Sequence, residues 1–258
     1  MNYKKLNSDI TAWIKSYTEK NHMSTLVVGI SGGIDSAVVS TLCAKTNINT
    51  IVVSMPIKQI ESQNNLSINH GLWLTKKYNN VKHEIIDMTN IFSEIEEKFE
   101  NINYSSLHAL ANTRSRLRML GLYQIAGSNN GLVVGTGNKI EDFGIGFFTK
   151  YGDGGVDISP IGDCMKSDVW EMAKELNINQ KIIEAPPTDG LWDDGRTDED
   201  QLKGLNYEQL ENAMKLDELK NSTNTYTESE LELLEKYSKI RKPNLHKMFE
   251  IPVFKLKK

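Results

Sequence analysis

The run "LVVGISGGIDSAVVSTLCAK", Leu26 to Lys45, limits the architecture more than any other stretch of the chain. Leu26-Val27-Val28-Gly29-Ile30 is short, β-branched and continuously apolar, the pattern of a strand covered on both faces in a parallel sheet. Beyond Asp35, the residues Ala37, Val38, Thr41, Leu42 and Ala44 recur at helical spacing, which predicts a crossover helix. Gly32 and Gly33 thus fall at a strand-to-helix turn. There, backbone N–H groups and the helix dipole favour an anion, and glycine lets a phosphate approach the main chain. Ser31 and Ser36 add hydroxyl donors. No lysine follows at the position that a G-x-x-x-x-G-K-[ST] loop requires, so the turn suits a phosphate group without the usual γ-phosphoryl-transfer equipment. Tight packing of strand on helix would explain a glycine pair alone. Ser31, Asp35 and Ser36 in register favour the anion site.

The alternation repeats along the chain. "TLVVGI", "TIVVSM", "HEIIDM" and "GLVVGT" are strand-like and separated by helical patterns, which predicts a doubly wound, Rossmann-like parallel α/β sheet with ligands at the carboxyl ends of its strands. The polar segments sort onto that edge: "SGGIDS" follows the first strand, "PIKQIESQ" the second and "GTGNKIED" the fourth. A length of 258 residues fits a single domain spanning 1–258, with the helical patterns after Asn206 and Thr227 appended to it. At the other end, Ile10, Trp13, Ile14 and Tyr17 form an apolar helical face that would pack on the domain or on a partner subunit.

Charge and cysteine content exclude several classes. With 30 basic against 34 acidic residues the net charge is −4, which argues against a nucleic-acid-coating protein. No apolar run reaches transmembrane length, and "MNYKKLNSDITAWIK" lacks a signal-peptide apolar region, so the expectation is a cytoplasmic protein with no membrane partner. Cys43 and Cys164 allow neither a disulfide framework nor a C-x-x-C site, and Cys43 lies in the apolar repeat of the first crossover helix as a buried thiol would.

Two further segments have the character of binding loops. Phe147 to Asp157, "FFTKYGDGGVD", mixes glycines, aromatics and charges, and its aromatics suit either the core or stacking on a ligand ring. Ala185 to Asp200 has no periodicity and many breakers, the composition of a lid or a link, and the lid is expected over about Asp189 to Lys203. In "ANTRSRLRML", Arg114, Arg116 and Arg118 could bind phosphate. Alternate positions cannot share one helix face, so at least one of the three is a solvated charge.

"SGGIDS" resembles the pyrophosphate-binding loop of the N-type ATP pyrophosphatases, whose fold is adenine nucleotide α-hydrolase-like. "ANTRSRLRM", "GTGNKIE", "GFFTKYGDGGVD" and the late "HK" pair are similar to the NAD synthetase family in order and spacing, from about Leu26 to Lys247. The resemblance implies an ammonia-dependent ligase: ATP adenylates the carboxylate of nicotinate adenine dinucleotide (deamido-NAD), pyrophosphate leaves, and ammonia displaces AMP from the acyl-adenylate. It further implies that Gly29, Ser31, Gly32, Gly33, Asp35 and Ser36 form the ATP loop, with Thr136, Lys166 and Thr188 as further ATP contacts. Asp35 and Glu141 are implied as Mg²⁺ ligands, and Asp153 and Lys166 as catalytic residues. Arg116, Lys150, Asp157, His246 and Lys247 are implied contacts to the dinucleotide, and a homodimer is the implied assembly.

One departure affects the metal ligands. Where many relatives read Gly-Thr-Asp-His-Ala-Ala-Glu, this chain reads "GTGNKIEDFGIGFF", with one extra residue before the two phenylalanines. Alignment from Gly135-Thr136 selects Glu141; alignment from Phe147 selects Asp142, which stands in reserve. Glutamine-dependent relatives attach an amidohydrolase domain with its own cysteine. About two dozen residues precede the first strand here, so free ammonia is the expected nitrogen source. Two rival readings remain at this stage: a tRNA-modifying pyrophosphatase, disfavoured by the acidic balance, and a non-catalytic nucleotide sensor, disfavoured by the set Asp35, Glu141, Asp153 and Lys166.

Overall fold

In the computed structural model, which describes residues 1–59, 61–188, 190–192, 201–219 and 226–256, with the side chains of 61–63 left out, the predicted strands form one parallel sheet. Its strands are β1 (Thr25–Gly29), β2 (Asn49–Ser54), β3 (Val81–Ile85) and β4 (Gly131–Val133), in the spatial order β3-β2-β1-β4. β1 pairs Val27 with Ile51 on one side and with Val133 on the other. As the period of a strand demands, Leu26 and Val28 enter the core on one face and Val27 the core on the opposite face, all at 0 % exposure. Each such side chain contributes about 1.5–3 kcal/mol of burial.

The first face is covered by α1 (Tyr3–Lys20), α2 (Ile34–Lys45) and α3 (Glu61–Lys77), joined later in the chain by α6 (Lys166–Glu175) and α7 (Gln180–Ile183). The second is covered by α4 (Thr89–Glu100) and α5 (Leu107–Ser128). A third cluster joins a π-helix (Lys139–Ile145) to α8 (Tyr207–Glu218) and α9 (Glu228–Arg241), the appended C-terminal helices, which end in α10 (Leu245–Met248). Among the described residues, no helix is long and apolar enough to cross a membrane.

The apolar face of α1 divides. Asn7, Ile14 and Thr18 are buried, and Ile10 packs beside them. Trp13 stays 46 % exposed and lies tilted against the Tyr17 ring, with centroids 5.8 Å apart. At about 100° per residue, Trp13 lies well round the helix from the Asn7–Ile14–Thr18 stripe.

Candidate active site

β1 and β4 are neighbours whose connections run to opposite sides, so a crevice opens beyond their carboxyl ends, the place where open α/β sheets hold ligands. A cavity of about 450 Å³ occupies it. Its wall contains Gly29, Ser31, Gly32, Gly33, Asp35, Ser36, Thr136, Glu141, Asp153, Lys166 and Thr188, the whole nucleotide, metal and catalytic set expected from sequence.

The glycine turn is held by its own hydroxyls. Ser31 N–H donates to Ser36 Oγ (3.2 Å), Gly33 N–H to Ser31 Oγ (3.1 Å), and Ser36 Oγ–H to the Gly33 carbonyl (2.9 Å). Gly32 sits at φ +91°, a left-handed conformation that a side chain would strain. Gly33 then opens α2, placing Asp35 in its first turn.

At the floor of the cavity, the Lys166 ammonium lies 2.6 Å from Asp35 Oδ2 and 2.9 Å from Glu141 Oε1. Asn138 Nδ2 donates to Asp35 Oδ1 (2.9 Å), and Tyr207 O–H donates to Glu141 Oε1 (2.7 Å) while its ring lies under the ammonium at 4.8 Å. Burial opposes charge on Lys166, but the two carboxylates outweigh it and raise its pKa above the ordinary lysine value. Burial pushes the Asp35 carboxyl up, against the pull of Lys166. Glu141 is lowered: burial opposes its charge, but Lys166 and the hydrogen bonds from Lys166, Tyr207 and Asn138 win. Both carboxylate side chains remain 16 % exposed against 3 % for the lysine, so they keep an open edge.

The local helix geometry fits the extra residue expected from the sequence and governs how Glu141 is presented. A one-residue insertion into a helix is absorbed as a π-turn, and Lys139–Ile145 is such an element, capped by Asn138 through Glu141 N–H (3.1 Å). The wide turn carries the chain on to Phe147, whose N–H donates to the Glu141 carbonyl (2.8 Å), and leaves Glu141 against Asp35 and Lys166. Asp142 also lines the cavity, with its carboxyl group beside Gly137, where a Cβ would overlap it. Burial, then Asp153, Glu141 and Asp35, push Asp142 well above the usual carboxylate range, with Lys247 opposing.

The "FFTKYGDGG" segment folds back at Tyr151, which adopts φ +61°. Gly152 then packs against Ser115 of α5, and Asp153 Oδ1 accepts from Ser115 Oγ (2.6 Å) and Thr149 N–H (2.9 Å). Of the three arginines, Arg114 is buried over the Phe92 ring (4.3 Å) and donates to the Leu191 carbonyl (2.8 Å). Arg118 donates to the Met55 carbonyl (3.1 Å) and lines the cavity, and Arg116 is the solvated one.

The five dinucleotide candidates lie outside the cavity wall. Arg116 donates to the Lys150 carbonyl (3.4 Å), Lys150 Nζ to the His246 carbonyl (3.4 Å), and Lys247 Nζ to the carbonyls of Gly146 (2.6 Å) and Phe148 (2.7 Å). Asp157 accepts from Val133 N–H (2.7 Å) and Tyr123 O–H (3.0 Å). Of the expected lid, positions 189 and 193–200 lie outside the described residues. Thr188 Oγ1 accepts from Gly190 N–H (3.2 Å).

Sequence reasoning missed Asn138, Tyr207, Ser115 and Glu211, the last of which accepts from Ser167 N–H and Oγ (both 2.8 Å) and so fixes the start of α6 beside Lys166. Only the Asn206–Gln209 capping box, a helix start placing Tyr207 at its first position, was available as a signal for two of them.

Fold and site together define an α/β nucleotide-binding protein whose anion loop is backed by a buried cation and two carboxylates. The NAD synthase family model matches residues 6–252, and the chain belongs to that family. It is 40% identical over 230 residues to an NH(3)-dependent NAD(+) synthetase of Finegoldia magna, covering 87% of this chain and 88% of that one. Among solved structures it resembles NMN synthetase from Francisella tularensis (TM-score 0.85, 28% identity, 99% of this chain and 100% of that one). It also resembles the NH3-dependent NAD synthetase from Campylobacter jejuni (TM-score 0.79, 26% identity, 99% and 100%).

Proposed function

We propose that the chain amidates deamido-NAD to NAD with ammonia, at the cost of ATP, through an acyl-adenylate. The observation that carries this reading is the convergence of the glycine-serine turn, Lys166, Asp35, Glu141 and Asp153 on one cavity in a chain of this family. A carboxylate is a poor electrophile because oxide is a poor leaving group. Its oxygen attacks the α-phosphorus of ATP and expels pyrophosphate; ammonia then attacks the acyl carbon, a proton is lost, and AMP departs. The N–H groups of the first turn of α2, joined by the Ser31 and Ser36 hydroxyls once these turn from their bonds within the loop, hold the departing pyrophosphate, Thr136 and Thr188 contact ATP, and Lys166 supplies a fixed positive charge. Asp153, which lines the same cavity, receives the proton as ammonia becomes amide.

Asp35 and Glu141 fit Mg²⁺ as ligands, because two hard carboxylate oxygens already share one cation and keep an open edge. Such an ion needs only one or two carboxylates alongside waters and phosphate oxygens, and when bound it would neutralise triphosphate charge. Arg116, Lys150, Asp157, His246 and Lys247 form a rim for the dinucleotide. Beside that rim, α5 exposes Leu120 and Tyr123, three residues apart and so on one side of the helix. This apolar face supports a homodimer joined there, more than at Trp13. Free buried thiols at Cys43 and Cys164 fit the reducing cytoplasm.

The test incubates the purified chain with ATP, Mg²⁺, ammonium and either deamido-NAD or nicotinate mononucleotide, the second because of the likeness to NMN synthetase. NAD, AMP and pyrophosphate should appear in equal amounts, with deamido-NAD preferred and glutamine inert. Release of ADP and phosphate instead would remove the adenylation reading.

A further inference from the structure

A line of polar groups crosses the sheet from its β3 edge to the glycine turn. His83 Nε2, on β3, lies 2.9 Å from Ser54 Oγ at the end of β2; Ser54 Oγ lies 2.6 Å from Ser67 Oγ of α3; and Ser67 Oγ lies 2.7 Å from the carbonyl oxygen of Ile30, the residue before Ser31. Ser54 and Ser67 are buried at 1 % and 3 % exposure. The direction of every hydrogen follows from the last link. A carbonyl only accepts, so Ser67 donates to Ile30. Its single hydrogen is then spent, Ser54 donates to Ser67, and His83 must donate to Ser54 through an Nε2–H. His83 thereby completes the line, its Nε2–H filling the acceptor side of Ser54 and holding that hydroxyl in place behind Ser67.

The far end of the line fixes one peptide plane. On the preceding peptide, Ile30 N–H donates to the Val53 carbonyl (2.9 Å), while on the Ile30–Ser31 peptide the Ile30 carbonyl accepts from Ser67 and Ser31 N–H donates to Ser36 Oγ (3.2 Å). That plane aims the chain into Gly32 and Gly33. His83 is held in turn by α3: its ring lies where a Cβ on Gly71 would fall. His83 itself does not line the cavity.

We propose that His83 is a positioning residue for the glycine turn, acting through Ser54 and Ser67 on the Ile30–Ser31 peptide to preorganise the turn for the phosphates of ATP. This rests on reading that turn as the ATP site. Preorganised donors need no rearrangement when the anion arrives, so a broken line weakens ATP capture and leaves the dinucleotide rim untouched.

Four variants of the full chain test it by KM for each substrate, with melting temperature as a folding check. Ser67→Ala leaves a buried carbonyl unpaired and should raise KM for ATP about tenfold, and His83→Leu about threefold. His83→Gln keeps an N–H donor near the Nε2 position and should stay within about twofold of the parent. KM for deamido-NAD and ammonium should not move. Unchanged KM for ATP in both Ser67→Ala and His83→Leu would overturn the proposal, as would His83→Gln behaving like His83→Leu or all three KM values rising together. Gly32→Ala, strained at its positive φ, separates the two levels. If it raises KM for ATP while the His83 and Ser67 variants do not, only the positioning role fails; if it too is silent, the turn is not the ATP site and the proposal falls with that reading.

Discussion

Two lysines near the cavity are governed in opposite ways. Lys166, at the floor, is enclosed by Asp35, Glu141 and the face of Tyr207, and its ammonium is held charged in spite of burial. Lys247, on α10 at the rim, donates to two backbone carbonyls and lies over Phe148 at 4.9 Å. Burial lowers its pKa, and Asp153 and Asp142 only partly offset that. Carbonyl dipoles satisfy donors without neutralising a charge; carboxylates do both. The floor therefore carries its own cation before ATP arrives, but one ammonium shared by two carboxylates leaves an excess negative charge that suits a divalent metal. The rim is incomplete, and an anionic substrate group would complete it.

The largest effect should come from Lys166→Met. It leaves Asp35 and Glu141 facing each other without a counter-ion, and removing one member of a buried ion pair costs about 3–5 kcal/mol. NAD formation should fall about a thousandfold, as expected when a fixed charge at a departing anion is lost. If Lys166 stands in for a cation, Mg²⁺ without nucleotide should raise the melting temperature of the variant more than that of the parent. Thermal denaturation with and without Mg²⁺ measures this. Equal responses would mean that the two carboxylates do not share a metal position with the lysine.

Lys247→Met should behave differently. The Gly146 and Phe148 carbonyls lie beside a half-buried side chain, so water can replace the ammonium and stability should change by less than about 0.5 kcal/mol. The kcat/KM for deamido-NAD should drop about thirtyfold, the worth of one charge-assisted hydrogen bond, with KM for ATP unaltered. Unfolding as severe as that of Lys166→Met would erase the contrast between floor and rim.

What the sequence revealed follows the same division. The glycine turn was legible because its parts are local: "SGGIDS" carries its own turn, its own hydroxyls and Asp35, and the strand pattern on either side places it at the sheet edge. Glu141 and Asp142 were ambiguous because one inserted residue changes the helical phase by about 100°, and the π-turn that sets Glu141 beside Lys166 is not marked in the sequence. Tyr207 comes 66 residues after the carboxylate it holds, and a local pattern marks it only as the start of a helix. At the rim, Arg116, Lys150 and His246 are joined through main-chain carbonyls, which side-chain spacing does not encode.

A third buried group extends the comparison to the case with no counter-charge. His70 is 3 % exposed, its Nε2 lies 3.0 Å from Ser40 Oγ, and its ring stacks on Trp73 at 5.5 Å. Burial lowers its pKa from 6.5 to about 4, with the Ala37 backbone opposing and His83 adding to the shift. Where Lys166 keeps its charge, His70 gives its charge up. A histidine depressed on folding contributes stability that is fully present above its unfolded pKa and is lost as pH falls through that value towards the folded one, because the unfolded chain then binds the extra proton. Between about pH 7.5 and about pH 5.5 this amounts to about 1 kcal/mol. His70→Leu removes the titration while Ser40 keeps its own bond to the Ala37 carbonyl. Raised carboxyls such as Asp142 have the opposite slope, but they are common to both proteins and cancel in the difference. Urea unfolding of parent and variant at the two pH values should therefore show the parent losing about 1 kcal/mol more than His70→Leu. Parallel losses would mean that His70 takes up its proton in the folded state and that burial without a counter-charge does not control it.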